Sequence, residues 1–145
     1  MTARTRAKQR AGVPVDVRAA DRRDEWETSW YRERLRDPAL IDAGVVVAVG
    51  RVGYLAVPVG GTRRGGYIST GDRMAVDCLR DALTGRPGFP RVRMRWSKCR
   101  SACHVVAWGE DPPGAEDDDQ ARGEFYGYSE QAIRAFVAEL ARGTN

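Results

Sequence analysis

The stretch Gly44-Val45-Val46-Val47-Ala48-Val49-Gly50-Arg51-Val52-Gly53-Tyr54-Leu55-Ala56-Val57-Pro58-Val59 decides the fold class. Two β-branched runs flank Gly50-Arg51-Val52-Gly53, the pattern of a hairpin. Pro58 has no amide hydrogen to give a ladder, so its end of the second strand belongs at a sheet edge or a bulge. A glycine-rich loop, Gly60-Gly61-Thr62-Arg63-Arg64-Gly65-Gly66, leads into a short strand from Tyr67 to Ser69. Helix signals then run from Asp72 to Thr84, with Ser69 or Thr70 as candidate caps and Gly85 where a left-handed residue closes a helix. Its apolar stripe is Met74, Ala75, Cys78, Leu79, Ala82 and Leu83.

Downstream, the same plan recurs. Arg91 to Ser97 and Cys103 to Trp108 read as strands joined by a tight turn, and Glu124 to Tyr128 as a third strand. Ser129 caps a helix over Glu130 to Arg142, with the stripe Ala132, Ile133, Phe136, Val137, Leu140, Ala141. That stripe matches the earlier helix at an offset of 58 residues. The expected fold is α+β: a leading helix, then two ββ-β-α units forming an antiparallel sheet of up to six strands, with two helices on one face.

Upstream, Asp21 to Arg36 reads as the leading helix, ended by Asp37-Pro38. Residues 1–20 read as a disordered basic arm, because Arg4, Arg6, Lys8 and Arg10 come with too little apolar surface to offset chain entropy. Residues 21–143 then form a single α+β domain carrying an acidic loop insertion at 110–119. At 42% hydrophobic and 30% charged residues, the 145-residue chain has the composition of a soluble globular domain. Its longest aliphatic run, Val45 to Val49, is far short of the roughly 20 residues of a spanning helix. The basic N-terminal stretch has no apolar core of a secretory signal, so a cytoplasmic location is expected, with no membrane partner.

The net charge of +4 is unevenly spread: residues 1–36 carry +4, residues 37–109 carry +6 and residues 110–145 carry −6. Nearly all the basic residues are arginine, the better fork for phosphate and carboxylate; a compositional bias of the coding sequence is the simpler explanation of the excess. In Arg91-Val92-Arg93-Met94-Arg95-Trp96, period-two alternation puts Arg91, Arg93 and Arg95 on one face and Val92, Met94 and Trp96 on the other. Pairing across Arg100-Ser101-Ala102 would set Trp96 against Val106 and place the arginines beside Val105 and Ala107. Such a row can track phosphates. It can equally be a solvated face whose arginines pair with the protein's own acids. Arg63 and Arg64, held between glycine pairs, are further anion-binding candidates, or simply part of a flexible hairpin loop. The loop 110–119 is either a solvated insertion or a cover that folds over the Arg91–Arg95 face.

Trp26 and Trp30 are candidates for a protein partner, with core packing as the alternative. Cys99, Cys103 and His104 give C-x3-C-H, one ligand short of a closed zinc site unless Cys78 or an acid completes it. A redox-sensitive Cys99–Cys103 pair is the other reading, and no metal site is assigned. With His104 the only histidine, no Ser-His-Asp arrangement is readable, and Cys103 and His104 point to opposite faces of a strand, against a Cys–His catalytic pair.

Trp30-Tyr31-Arg32-Glu33-Arg34-Leu35-Arg36-Asp37-Pro38-Ala39-Leu40, Val57 to Tyr67, Arg86-Pro87-Gly88-Phe89-Pro90 and Cys103-His104-Val105-Val106-Ala107-Trp108-Gly109 resemble a family of small uncharacterised actinobacterial proteins, over roughly residues 28–110. The resemblance implies a cytoplasmic protein and carries no activity and no functional residues. The resulting expectation is a non-catalytic binding protein without a cofactor. Its leading partner is nucleic acid or another acidic partner, bound through the basic arm, Arg63, Arg64 and the Arg91/Arg93/Arg95 face. A protein-interaction or regulatory module is the competing class, and a small enzyme the third.

Overall fold

The computed structural model describes residues 5–6, 12–96, 104–114 and 118–143. Two antiparallel sheets share one core. The first has the order β1 (Thr5–Arg6), β2 (Val15–Ala19), β3 (Val45–Val49), β4 (Val52–Ala56). The second has the order β5 (Gly65–Thr70), β7 (His104–Gly109), β6 (Arg93–Arg95). Four α-helices accompany them: α1 (Glu25–Arg34), α2 (Arg73–Leu83), α3 (Asp119–Phe125) and α4 (Glu130–Gly143).

The β3–β4 hairpin turns through Gly50, whose φ of 62° suits the tight connection. Its unbroken aliphatic run has a physical cause: both faces of the first sheet are covered. Val47, Val49, Val15 and Val17 face α2 and the second sheet in the main core. Val46, Leu55 and Val57 face the other way and pack with Leu35 and Ile41. The side chain of Asp72 caps α2 by accepting from the amides of Met74 and Ala75, a role expected of Ser69 or Thr70. Along α2 the stripe Ala75, Cys78, Leu79, Ala82, Leu83 is buried as expected, whereas Met74 is exposed. Gly85 follows in the left-handed region.

Several sequence expectations are corrected. The first concerns the arm over residues 1–20: Val15–Ala19 is a strand, paired Val17↔Val47, so a strand precedes the leading helix. The second concerns the single six-stranded sheet, which is instead two sheets. The third is the repeat. Glu124 to Tyr128 is not a strand but the end of α3 and the turn after it, with an isolated bridge from Leu35 to Tyr128. Asp118 starts α3 by accepting from the Ala121 amide, and Gln120 bonds Glu124 one turn on. The leading helix is also shorter than expected, a single 3-10 turn over Arg22–Asp24 running into α1. Nor are the two stripe-bearing helices equivalent. Ser129 does cap α4 through the Ala132 amide, but of its stripe only Ile133 is buried.

Candidate functional site

The second sheet is buried along one face, while on the other only Phe125 and Tyr126 pack over its Gly65–Tyr67 end. Met94 and Val106 pair on the inner face, with Ile68 beside Val106, and all three join the main core. The outer face shows two cross-strand rows, Tyr67–Ala107–Arg93 and Ser69–Val105–Arg95. The arginine face read from the sequence therefore exists, with Arg93 and Arg95 beside Ala107 and Val105. The observed register is two residues from the expected one, since Val106 pairs with Met94 rather than Trp96. A slip of two keeps every side chain on its face. Trp96 stacks edge-on against His104 at 5.0 Å, and the guanidinium of Arg73 lies 5.0 Å from its ring.

Small side chains on the central strand leave a groove of about 530 Å³ along this face, whose walls include Tyr67, Arg93, Arg95, Arg122 and Tyr126. Arg93 is held in place. Its Nη1 donates to the carbonyls of Arg91 and Gly109 at 3.0 Å, and its Nη2 donates to the carbonyl of Glu110 at 3.1 Å. Asp111 pairs with Arg93 at 3.2 Å and with Arg91 at 3.8 Å. Arg91 itself adopts a left-handed backbone, φ 54°, just ahead of β6. Glu110 receives a bidentate contact from Arg64, at 3.0 and 2.9 Å. The opening of the acidic loop thus occupies three of the five candidate arginines. Arg95 is exposed and has no hydrogen-bonding or ionic partner among the described residues.

Arg63 departs from its neighbour. It is 4% exposed, so it offers no surface contact to a polymer. Its Nη1 donates to the Tyr126 carbonyl at 3.0 Å and its Nη2 to the Val57 carbonyl at 3.3 Å. Its Nε–H is buried without an acceptor among the described residues. Gly66 and Gly127 make the room: a Cβ at either position would fall 2.5–2.7 Å from Arg63 atoms. The charge is surrounded by Tyr31, Tyr67, Tyr126 and Tyr128, and no carboxylate pairs with it among the described residues. Burial pulls the guanidinium down from its ordinary range and pushes Tyr128 up to about 12. Nothing in the sequence near Arg63 announced this burial, apart from the glycines that make way for it.

The two tryptophans also differ. Trp26 is 80% exposed. Trp30 belongs to the aromatic cluster, edge-on to Tyr31 at 5.0 Å and to Tyr128 at 6.0 Å, with Arg34 stacked on it at 4.4 Å. Cys99 and Cys103 lie outside the described residues, while Cys78 is buried on α2. Among the described residues no group of three His, Cys, Asp or Glu is placed to hold a metal ion, and no helix is long and apolar enough to cross a membrane.

Fold and site together define a small α+β protein with one covered sheet and one sheet open on an arginine-bearing face. The chain belongs to the family described as a family of unknown function (DUF6302), whose model matches residues 19–144. The match bears out the resemblance to a family of uncharacterised proteins and extends it at both ends; it carries nothing about actinobacterial origin. No curated protein and no solved structure matches the chain.

Proposed function

We propose that this protein is a cytoplasmic, non-catalytic module that binds single-stranded nucleic acid on the outer face of β5, β7 and β6. The observation that carries the reading is the pair of rows Tyr67–Ala107–Arg93 and Ser69–Val105–Arg95. An aromatic ring at one edge supplies a stacking surface, arginines at the other supply phosphate contacts, and the small residues between them leave room for a strand of bases. Tyr126, 5.4 Å from the Tyr67 ring, extends the aromatic edge. Arg95 stands free of the acidic loop, while Arg122 donates to that loop's Gly114 carbonyl at 3.3 Å. The bound strand displaces Asp111 from Arg91 and Arg93, exchanging an internal carboxylate for a phosphate.

Fluorescence anisotropy with single-stranded RNA, single-stranded DNA and duplex, at about 50 and 200 mM salt, tests this. Micromolar binding of single strands that falls steeply with salt is expected. Arg95→Ala should lower the salt slope by about 1. Tyr67→Ala should weaken binding about fivefold or more, since a stacked base contributes about 1–3 kcal/mol. An absence of binding at the lower salt overturns the reading.

One observation favours a second reading, a protein-interaction module. Phe136, Val137 and Leu140 stand exposed on α4, Phe136 at 52%, and α1 presents Trp26. Self-association is the first outcome to look for. Light scattering that gives a dimer mass, reverting to monomer in Phe136→Glu, supports it.

A further inference from the structure

We infer that the pocket lined by Arg63 and the tyrosine cluster is a binding site for a small aromatic oxyanion, a planar ring bearing a carboxylate or a phosphate. This goes beyond the nucleic-acid reading and does not rest on it. The pocket, about 440 Å³, lies between α1, β4 and β5, and its walls include Trp30, Tyr31, Arg63, Tyr67, Tyr126 and Tyr128. Its size falls within the range of small-molecule sites; aromatic rings make up half of the wall, and Glu27 and Ser69 share it with Arg63.

The anchor argument rests on charge and hydrogen-bond accounting. A guanidinium stays charged in proteins and carries five N–H donors. Two neutral carbonyls take one donor each from Arg63, and the buried Nε–H has no acceptor among the described residues. A buried charge is ordinarily paired, because removing it from water costs several kcal/mol per ion. Burial raises Tyr31, Tyr126 and Tyr128 above the ordinary phenol range, so these rings bring the guanidinium no compensating negative charge. An oxyanion in the pocket would supply the missing negative charge beside Arg63, and its oxygen would meet the Nε–H once the groups that shield that nitrogen give way. The hydroxyls of Tyr31, Tyr67, Tyr126 and Tyr128 have no hydrogen bond among the described residues, so they are available as further donors. The ring is called for by the walls: Tyr67, Tyr126, Tyr128, Trp30 and Tyr31 form a chain of edge-to-face and tilted contacts 5.0–6.5 Å apart, spacing typical of aromatic packing.

The experiment titrates the full chain with benzoate, phenyl phosphate, inorganic phosphate and benzyl alcohol. It is followed by calorimetry and by the Nε–H resonance of Arg63. Benzoate or phenyl phosphate should bind with a dissociation constant of about 1 mM or tighter and move that resonance. Comparing the two tells a carboxylate source from a phosphate source. Benzyl alcohol, with the ring but no charge, should bind at least tenfold more weakly, and inorganic phosphate, with charge but no ring, should also be weaker. Arg63→Met should abolish anion binding. Should that variant fail to fold, Tyr67→Leu, at a half-exposed position, should weaken benzoate or phenyl phosphate severalfold. No binding by either aromatic anion overturns the proposal, as does binding that leaves the Arg63 resonance unmoved. Arg95→Ala, aimed at the nucleic-acid groove, should leave the small-anion titration unchanged, so the two readings fail separately.

Discussion

The two sheets are built from similar strands and differ in what covers them. In the first, β3 carries Val46 towards Leu35 and Ile41 and Val47 towards α2, so both faces are interior. In the second, Val106 and Met94 face the core while Val105 and Arg95 face a groove. One sheet is therefore a wall covered on both sides, and the other is half wall and half groove. The difference is written in the side chains. A continuous aliphatic run marks the sheet covered twice, and an arginine–apolar alternation marks the sheet covered once.

The sharpest way to break that comparison is to place the same substitution on each sheet. Val46→Asp should unfold the protein, because an unpaired carboxylate in a dry interior costs more than a small domain's stability allows. Val105→Asp, on the open face, should change stability by about 0.5 kcal/mol or less. Chemical denaturation followed by circular dichroism reads both, and equal losses would refute the assignment of faces.

A smaller effect concerns how the first sheet is tied to α1. Arg18 on β2 pairs with Asp24 at 2.7 Å, and Asp24 also accepts from the Asp21 amide at 2.9 Å. The hydrogen bond from Arg18 holds the Asp24 carboxyl below its usual range, against opposing desolvation. A carboxyl depressed in the folded state adds stability that is present above its unfolded pKa of about 4 and is lost as pH falls below it. Asp24→Ala should cost about 1–3 kcal/mol at pH 7, by leaving Arg18 only the more exposed Asp21 at 3.3 Å and the Ala19 carbonyl at 3.1 Å, and should flatten the acid limb of the stability profile. An acid limb that persists unchanged would assign the pH dependence elsewhere.

The smallest effect probes the open sheet's own cover. Asp111→Asn and Glu110→Gln free Arg91, Arg93 and Arg64 from exposed pairs contributing about 0.2–1 kcal/mol each. Single-stranded RNA should then bind about twofold to fivefold more tightly at low salt, and the gain should vanish at high salt. Tighter binding in only one of the two variants would show which clamp governs access.

Local signals carried the parts of this fold that depend on local chemistry. The β3–β4 hairpin, α2 with its buried stripe, the start of α4 at Ser129 and the faces of β6 and β7 all follow from periodicity and capping. The missing parts depend on distant partners. β2 is a five-residue strand, Val15-Asp16-Val17-Arg18-Ala19, whose short apolar–polar alternation follows directly on a basic arm, and it is held by valines of β3 about thirty residues away. The division into two sheets depends on which strand edges meet, and no local pattern records that. At α3, the aromatic run Phe125-Tyr126-Gly127-Tyr128 pointed towards a strand, while Asp118 and the Gln120–Glu124 pair settled a helix. The candidate site divides the same way. Arg93 and Arg95 were legible from alternation, whereas the burial of Arg63 follows from space left by Gly66 and Gly127, far apart in the chain.

The four tryptophans sample four degrees of contact with water, and that makes the molecule its own optical probe. Trp108 is 1% exposed and donates its indole N–H to the Val57 carbonyl, whereas Trp96 is 39% exposed and Trp26 lies almost wholly in solvent. Acrylamide should therefore quench the red side of the emission first and leave a blue-shifted remainder from Trp108. Replacing Trp26 with Phe would remove most of the quenchable light, so changes at Trp96, beside the arginine groove, and at Trp30, on the wall of the tyrosine pocket, could be followed without a label.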